Sequence, residues 1–198
     1  DSSAASDVYK RQGYQRLDES NRRAACAAEA QALRTSWTES RREQVRASLE
    51  AVDVPYASTT AEKTLAWLDR KNEELADAHQ EACEKAEGSR VWSSEEVERA
   101  NWCLAQREIG FDAHVAVLSD ADKGALNGAT PGAAALESPA PCTDPASLAR
   151  DTPPIEIREE LRHQVEELAR SRSLKRADRK QEAARVAEEV LAASEALE

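Results

Sequence analysis

Apolar positions recur at helical spacing along most of the chain, and the runs are opened by recognisable polar starts. Leu17 to Leu33 is Ala-rich and predicts a first helix carrying Cys26. Ser36-Trp37-Thr38-Glu39 has the spacing of a capping box, in which side chains satisfy free amides of a first turn. The helix it opens carries Val45, Leu49 and Val52 and stops near Pro55, because proline drives the residue before it out of the α region. Thr59-Thr60-Ala61-Glu62 repeats the signature and starts a long helix through Leu65, Leu68, Leu75, Ala82 and Ala86, ending at Gly88. Ser93-Ser94-Glu95-Glu96 is a third box. Val97, Leu104, Phe111 and Leu118 follow it seven residues apart, a narrow stripe suited to an antiparallel partner helix.

Texture changes after Leu118. Six of the seven prolines and three glycines fall between Asp120 and Pro154, which reads as a short helix near Asp122 to Leu126 followed by a linker. Helical pattern returns with Ile155, Leu161, Val165, Leu168 and Leu174, breaks near Asp178, and resumes with Ala183, Ala187, Val190, Leu191 and Leu197. Ser171, Ala183 and Ala187 are small and spaced so that two helices approach closely, as in a tetratricopeptide repeat, although that repeat's Gly and aromatic positions are missing. A single pair buries too little to stand alone, so further repeats are expected beyond Glu198. The expected fold is all-α: cysteine-bearing antiparallel helical hairpins, a Pro-rich linker, and a TPR-like helix pair. The expected divisions are 1–12, 13–126, 127–154 and 155–198.

Composition sharpens this. Leu, Val, Ile and Phe supply only 31 of 198 residues, so the apolar core is lean. Abundant Ala, Glu, Arg and Leu favour helix, and six scattered glycines form no phosphate-cradling loop. A formal charge of −11 repels phosphate backbones and argues against nucleic-acid binding. No run of about 18 apolar residues is present to cross a membrane.

Four cysteines in a lean-cored chain point to two disulfides and an oxidising compartment. Cys83 and Cys103 flank the Gly88 turn on consecutive helices. In an antiparallel hairpin they come level, which favours a Cys83–Cys103 bond and leaves Cys26 to pair with Cys142. Four cysteines allow three connectivities, and four buried thiols are the other reading. The rival chemistry is a metal site on His79 and Cys83, four residues apart on one helix face. It lacks any accompanying Cys-x-x-Cys or His-x-x-x-His, so no metal or other cofactor is expected.

Catalysis finds little support. His79, His114 and His163 lie among helical charges and read as solvated surface residues, as do the paired glutamates and the basic run Arg170 to Lys180. Trp37, Trp67, Trp92 and Trp102 read as packing anchors. Trp92, in the turn before Ser93, is the one picked out for partner contact, together with Ser171 and Leu174 of the helix pair.

No Met occurs, and Asp7-Val8-Tyr9-Lys10-Arg11-Gln12 resembles translated adapter sequence, so the chain is expected to be a piece with a non-native tail at 1–12. From Cys26 onward the chain resembles the region after the membrane span in bacterial serine/threonine protein kinases of the myxobacterial type. The match is carried by Cys26, Trp37, the Arg41 to Leu49 helix, Pro55-Tyr56 and the Thr60 helix. It continues through Glu81-Ala82-Cys83-Glu84, Cys103-Leu104-Ala105-Gln106-Arg107 and Pro141-Cys142-Thr143-Asp144-Pro145, with Leu168 to Leu191 similar to a first repeat. One stretch departs: Glu87-Gly88-Ser89-Arg90-Val91-Trp92 stands where the family carries a Gly-Glu-Gln-Ser-like segment. The resemblance implies a periplasmic, non-catalytic sensory or scaffolding region of a membrane-anchored kinase that leads into protein-binding repeats. No Gly-rich loop, His-Arg-Asp or Asp-Phe-Gly motif is present, so kinase activity is implied for the parent polypeptide alone. A metal-binding helical domain or enzyme around His79 and Cys83, and a passive helical spacer, are the alternatives.

Overall fold

Of the three expected helix starts, one is used as read and two are shifted. Ser93 Oγ accepts from the Glu96 amide at 3.2 Å while Glu96 Oε2 accepts from the Ser93 amide at 2.7 Å, a complete reciprocal cap. The Ser93 amide, joined by the Ser93 hydroxyl donating to Oε2 at 2.9 Å, holds the Glu96 carboxyl below its ordinary range. Ser36 instead closes the preceding helix by donating to the Leu33 carbonyl, and Thr38 is the cap, accepting from the Arg41 amide at 3.2 Å. The third start lies upstream of its box. A turn from Val54 to Ala57 begins the helix directly after Pro55-Tyr56, so Thr59 is already inside it.

The structure is a computed structural model that describes the backbone of residues 2–149 and 152–195, and the side chains of 14–148, 152–154 and 156–195. Its elements are α1 (Ser2–Ser36), α2 (Glu39–Glu50), α3 (Ala57–Cys83), a π-helical turn (Glu84–Gly88), α4 (Ser94–Leu118) and α5 (Lys123–Ala134). Three 3₁₀ turns (Ala140–Cys142, Ser147–Ala149, Ile155–Ile157) lead to α6 (Arg158–Arg176) and α7 (Lys180–Glu195). The fold is all-α, with no strand among the described residues. Asp1 of the expected tail and Leu197 of the last helix lie outside the described residues, as do the side chains of residues 2–13.

One core joins α2, α3, α4 and α5 through Val45, Leu49, Leu65, Leu68, Phe111, Leu118 and Leu126. Trp37 meets Phe111 edge to face at 5.7 Å, and its indole donates to Asp69, which also takes the Arg42 guanidinium. A second cluster gathers Leu75, Ala82, Leu104, Cys142 and Leu148, and a third joins Val117 and Ala125 to Leu174, Ala183 and Val186 of α6 and α7.

Two disulfides are present, with a connectivity different from the one expected. Cys26 bonds Cys83 and Cys103 bonds Cys142. Cys83 lies five residues before the end of the π-helical turn that extends α3, whereas Cys103 is the tenth residue of α4, so across the turn the two sit at different heights. α1 runs back along α3 instead. Arg34 pairs with Glu73 and Asp77, its carbonyl accepts from Asn72 at 3.1 Å, and Cys26 therefore falls beside Cys83.

The segment 127–154 also differs from a plain linker. α5 continues through Pro131 to Ala134, and its glycines serve close packing. A Cβ on Gly128 would sit 1.9 Å from the Arg176 carbonyl oxygen, and one on Gly132 would sit 2.7 Å from the His114 ring. The 3₁₀ segment that follows is tied down by Cys142, by Lys85 donating to the Thr143 carbonyl at 2.8 Å, and by Thr143 donating to Glu81 at 3.1 Å.

Candidate functional site: an acidic groove on α4, α6 and α7

α4 carries two apolar stripes. Leu104, Phe111 and Leu118 enter the core, while Ile109, Ala113 and Ala116 recur at spacings of four and three on another face. That second face lines a groove of about 530 Å³ against α6 and α7, within the size range of ligand sites. Val117 and Leu174 back the apolar floor from beneath, Leu174 being only 1% exposed.

The rim carries five carboxylates, Asp112, Asp120, Glu166, Glu167 and Glu182, against Arg170 and Arg179. The two guanidiniums are held by the rim itself: Arg179 reaches Glu182 at 2.7 Å and Asp120 at 3.9 Å, and Arg170 reaches Glu182 at 3.4 Å and Glu167 at 3.7 Å. Arg41 adds a contact from outside, to Asp112 at 2.6 Å. With these pairs made, the rim keeps a surplus of negative charge above a hydrophobic floor. A cationic, amphipathic helix fits that description, its apolar face down and its basic residues against the rim.

The residues singled out from the sequence are distributed unevenly around this groove. Leu174 lies beneath the floor, packed with Val117 and Val186, and has almost no surface to offer a partner. Ser171 is buried, 9% exposed, and its hydroxyl donates to the Ala183 carbonyl at 2.7 Å, so it joins α6 to α7 and offers no free surface to a partner. Trp92 is half-buried against the Leu75–Leu104 cluster, with Lys85 Nζ 5.1 Å from its ring centre. It belongs to the wall beside the Cys103–Cys142 bond, on a different part of the surface from the groove.

Cys83 is engaged with Cys26, so no thiolate stands four residues from His79 to complete a metal pair. His79 Nε2 lies 2.5 Å from Glu108 Oε1 instead. No cluster of three potential metal ligands is found among the described residues. His163 is exposed, as expected. His114 is the exception among the histidines: it is fully buried, and neither ring nitrogen has a hydrogen-bond partner. Burial, with the nearby Arg176 charge, lowers its pKa to about 4, against weaker support for the proton from the Ala129 backbone.

The groove escaped sequence reading because two of its five apolar residues are alanine, and alanine registers as helix former before it registers as surface. The available signal was the Ile109-Ala113-Ala116 spacing, offset from the larger Leu and Phe stripe. No helix among the described residues is long and apolar enough to cross a membrane. No protein-family model, curated protein or solved structure matches this chain.

Proposed function

We propose that this chain is a non-catalytic, extracytoplasmic binding region, part of a membrane-anchored bacterial serine/threonine kinase, whose disulfide-braced helices present a groove to a cationic helical peptide. In this reading α6 and α7 are the TPR-like pair that opens a repeat array, and the chain's role is sensing or scaffolding. The observation that carries the binding role is the groove itself: an apolar surface of Ile109, Ala113 and Ala116, backed by the buried Val117 and Leu174, under an acid-rich rim. Two disulfides are compatible with an oxidising, extracytoplasmic location, and the order and spacing of the cysteine segments support the kinship.

The test is titration of a fluorescent amphipathic Lys/Leu helix and an acidic Glu/Leu counterpart. The cationic peptide is expected to bind in the micromolar range, typical of a modest helix-in-groove contact, and the acidic one not at all. Glu166→Lys with Glu167→Lys is expected to weaken binding at least about tenfold, a change of 1.4 kcal/mol or more, with the helical signal preserved. Equal affinity for both peptides, or none for the cationic one, would overturn the reading.

A further inference from the structure

On the other flank of α6 the charge is reversed. A cavity of about 260 Å³ lies between α3, α4, the segment after α5, and α6. Lys71, Arg107, Arg172 and Arg176 face it, against the single carboxylate of Glu137. In a chain of net charge −11 this is a local inversion.

The counter-charges do not suffice. Glu137 is shared between Arg107 and Arg172, the latter at 3.6 Å, and Lys71 reaches Glu74 at 2.9 Å. Arg176 has no carboxylate at ion-pair distance among the described residues; it donates to the Ala135 carbonyl at 3.3 Å. Its guanidinium is half-buried, so that burial foremost, opposed by Glu137 and aided by Arg172, destabilises its charge. Phe111 and Leu136 supply apolar wall beside these cations. Gly110 also borders the cavity, and a Cβ there would meet nothing within 4 Å, so this stretch of wall is open space.

We infer that this cleft is a site for a small organic oxyanion with an apolar body, a carboxylate or a phosphate ester. The oxyanion is held by Arg172 and Arg176, whose planar forks match its geometry, and the apolar part rests on Phe111 and Leu136. Bound there, it supplies the negative charge that Arg176 lacks. The site uses none of the groove's lining residues, so it stands or falls separately from the peptide-binding role.

Calorimetric titration of the oxidised full chain with phenyl phosphate, phenylacetate and inorganic phosphate tests this. At least one of the two aromatic anions is expected to bind saturably below about 1 mM, the weak end of specific affinity, and more tightly than inorganic phosphate. The preferred aromatic anion identifies the headgroup class. Arg176→Gln is expected to weaken it at least about tenfold, as the loss of a charge-assisted contact should. Gly110→Leu, which extends into the cavity and improves helix propensity, is expected to abolish binding while leaving the thermal transition intact. Arg185→Gln, on the exposed face of α7 and lining neither cleft, is expected to leave the anion affinity unchanged. Absence of saturable binding by both aromatic anions, inorganic phosphate binding equally well, or binding indifferent to Gly110→Leu would each overturn the assignment.

Discussion

His114 is a base held where its charge has no solvent and an Arg176 guanidinium for company. Its folded pKa of about 4 lies below the unfolded value of 6.5, so the folded state favours the neutral ring. The stability linked to this group is fully present above the unfolded pKa. It is lost as the unfolded chain takes up a proton while the folded chain does not, as pH falls from 6.5 toward 4. The loss over that window is roughly 3 kcal/mol, from 1.36 kcal/mol per unit. Chemical denaturation at pH 7 and pH 4.5 should show it, and His114→Leu, similar in size and unable to titrate, should flatten the difference. Glu96 and Asp144 are carboxyls held low by their caps, and their contributions fade mainly below this window, so the difference between parent and variant isolates the histidine. A ring of Gly132, Ala129 and Arg176 sets this environment, and those residues come from α5 and α6.

Between helices, the decisive contacts are made by small residues. Gly128 sits so close to the end of α6 that a methyl group would overlap the Arg176 carbonyl, and a backbone atom cannot rotate away. Gly128→Ala is therefore expected to destabilise the fold by about 1–3 kcal/mol, despite alanine's better helix propensity, because α5 and α6 must separate. A denaturant midpoint measured against the parent at unchanged m-value checks this. The same contact explains what was legible beforehand. Large apolar residues at helical spacing marked α2, α3 and α4, and the Ser93 box marked the start of α4, because burial and capping are local rules. Glycine and proline in residues 127–132 advertised a flexible joint. The folded chain uses the glycines for close approach and carries Pro131 on an exposed helix surface, a choice that depends on neighbours distant in sequence. Disulfide connectivity escaped for a related reason: a turn position says that two helices are consecutive but not how far along each one a cysteine falls. Both clefts depend on α6 meeting α4, and no short-range pattern encodes that meeting.

Across the whole molecule, the two covalent loops, 26–83 and 103–142, neither overlap nor interlock. Each closes a stretch for which loop entropy gives up to about 4 kcal/mol. Mild reduction is expected to add the mass of four hydrogens to the intact protein and to lower the thermal midpoint by at least 5 °C or so, from about 2 kcal/mol or more of lost stability. An unchanged mass under reductant would remove the covalent brace from the picture. The lean apolar complement makes this brace matter, since the sequence has only 31 Leu, Val, Ile and Phe residues in all with which to fill its core.

The crosslinks end at Cys142, and beyond it the described residues of α6 and α7 hold to the remainder, apart from the chain itself, through contacts such as the Arg158–Glu98 pair and the Val117–Leu174 cluster. Loaded from that distal side, α7 and α6 are expected to peel first, with Cys142 as a stop. Because α6 walls both clefts, such a load dismantles the peptide groove and the anion cavity in one motion, while the four helices before α5 keep their places.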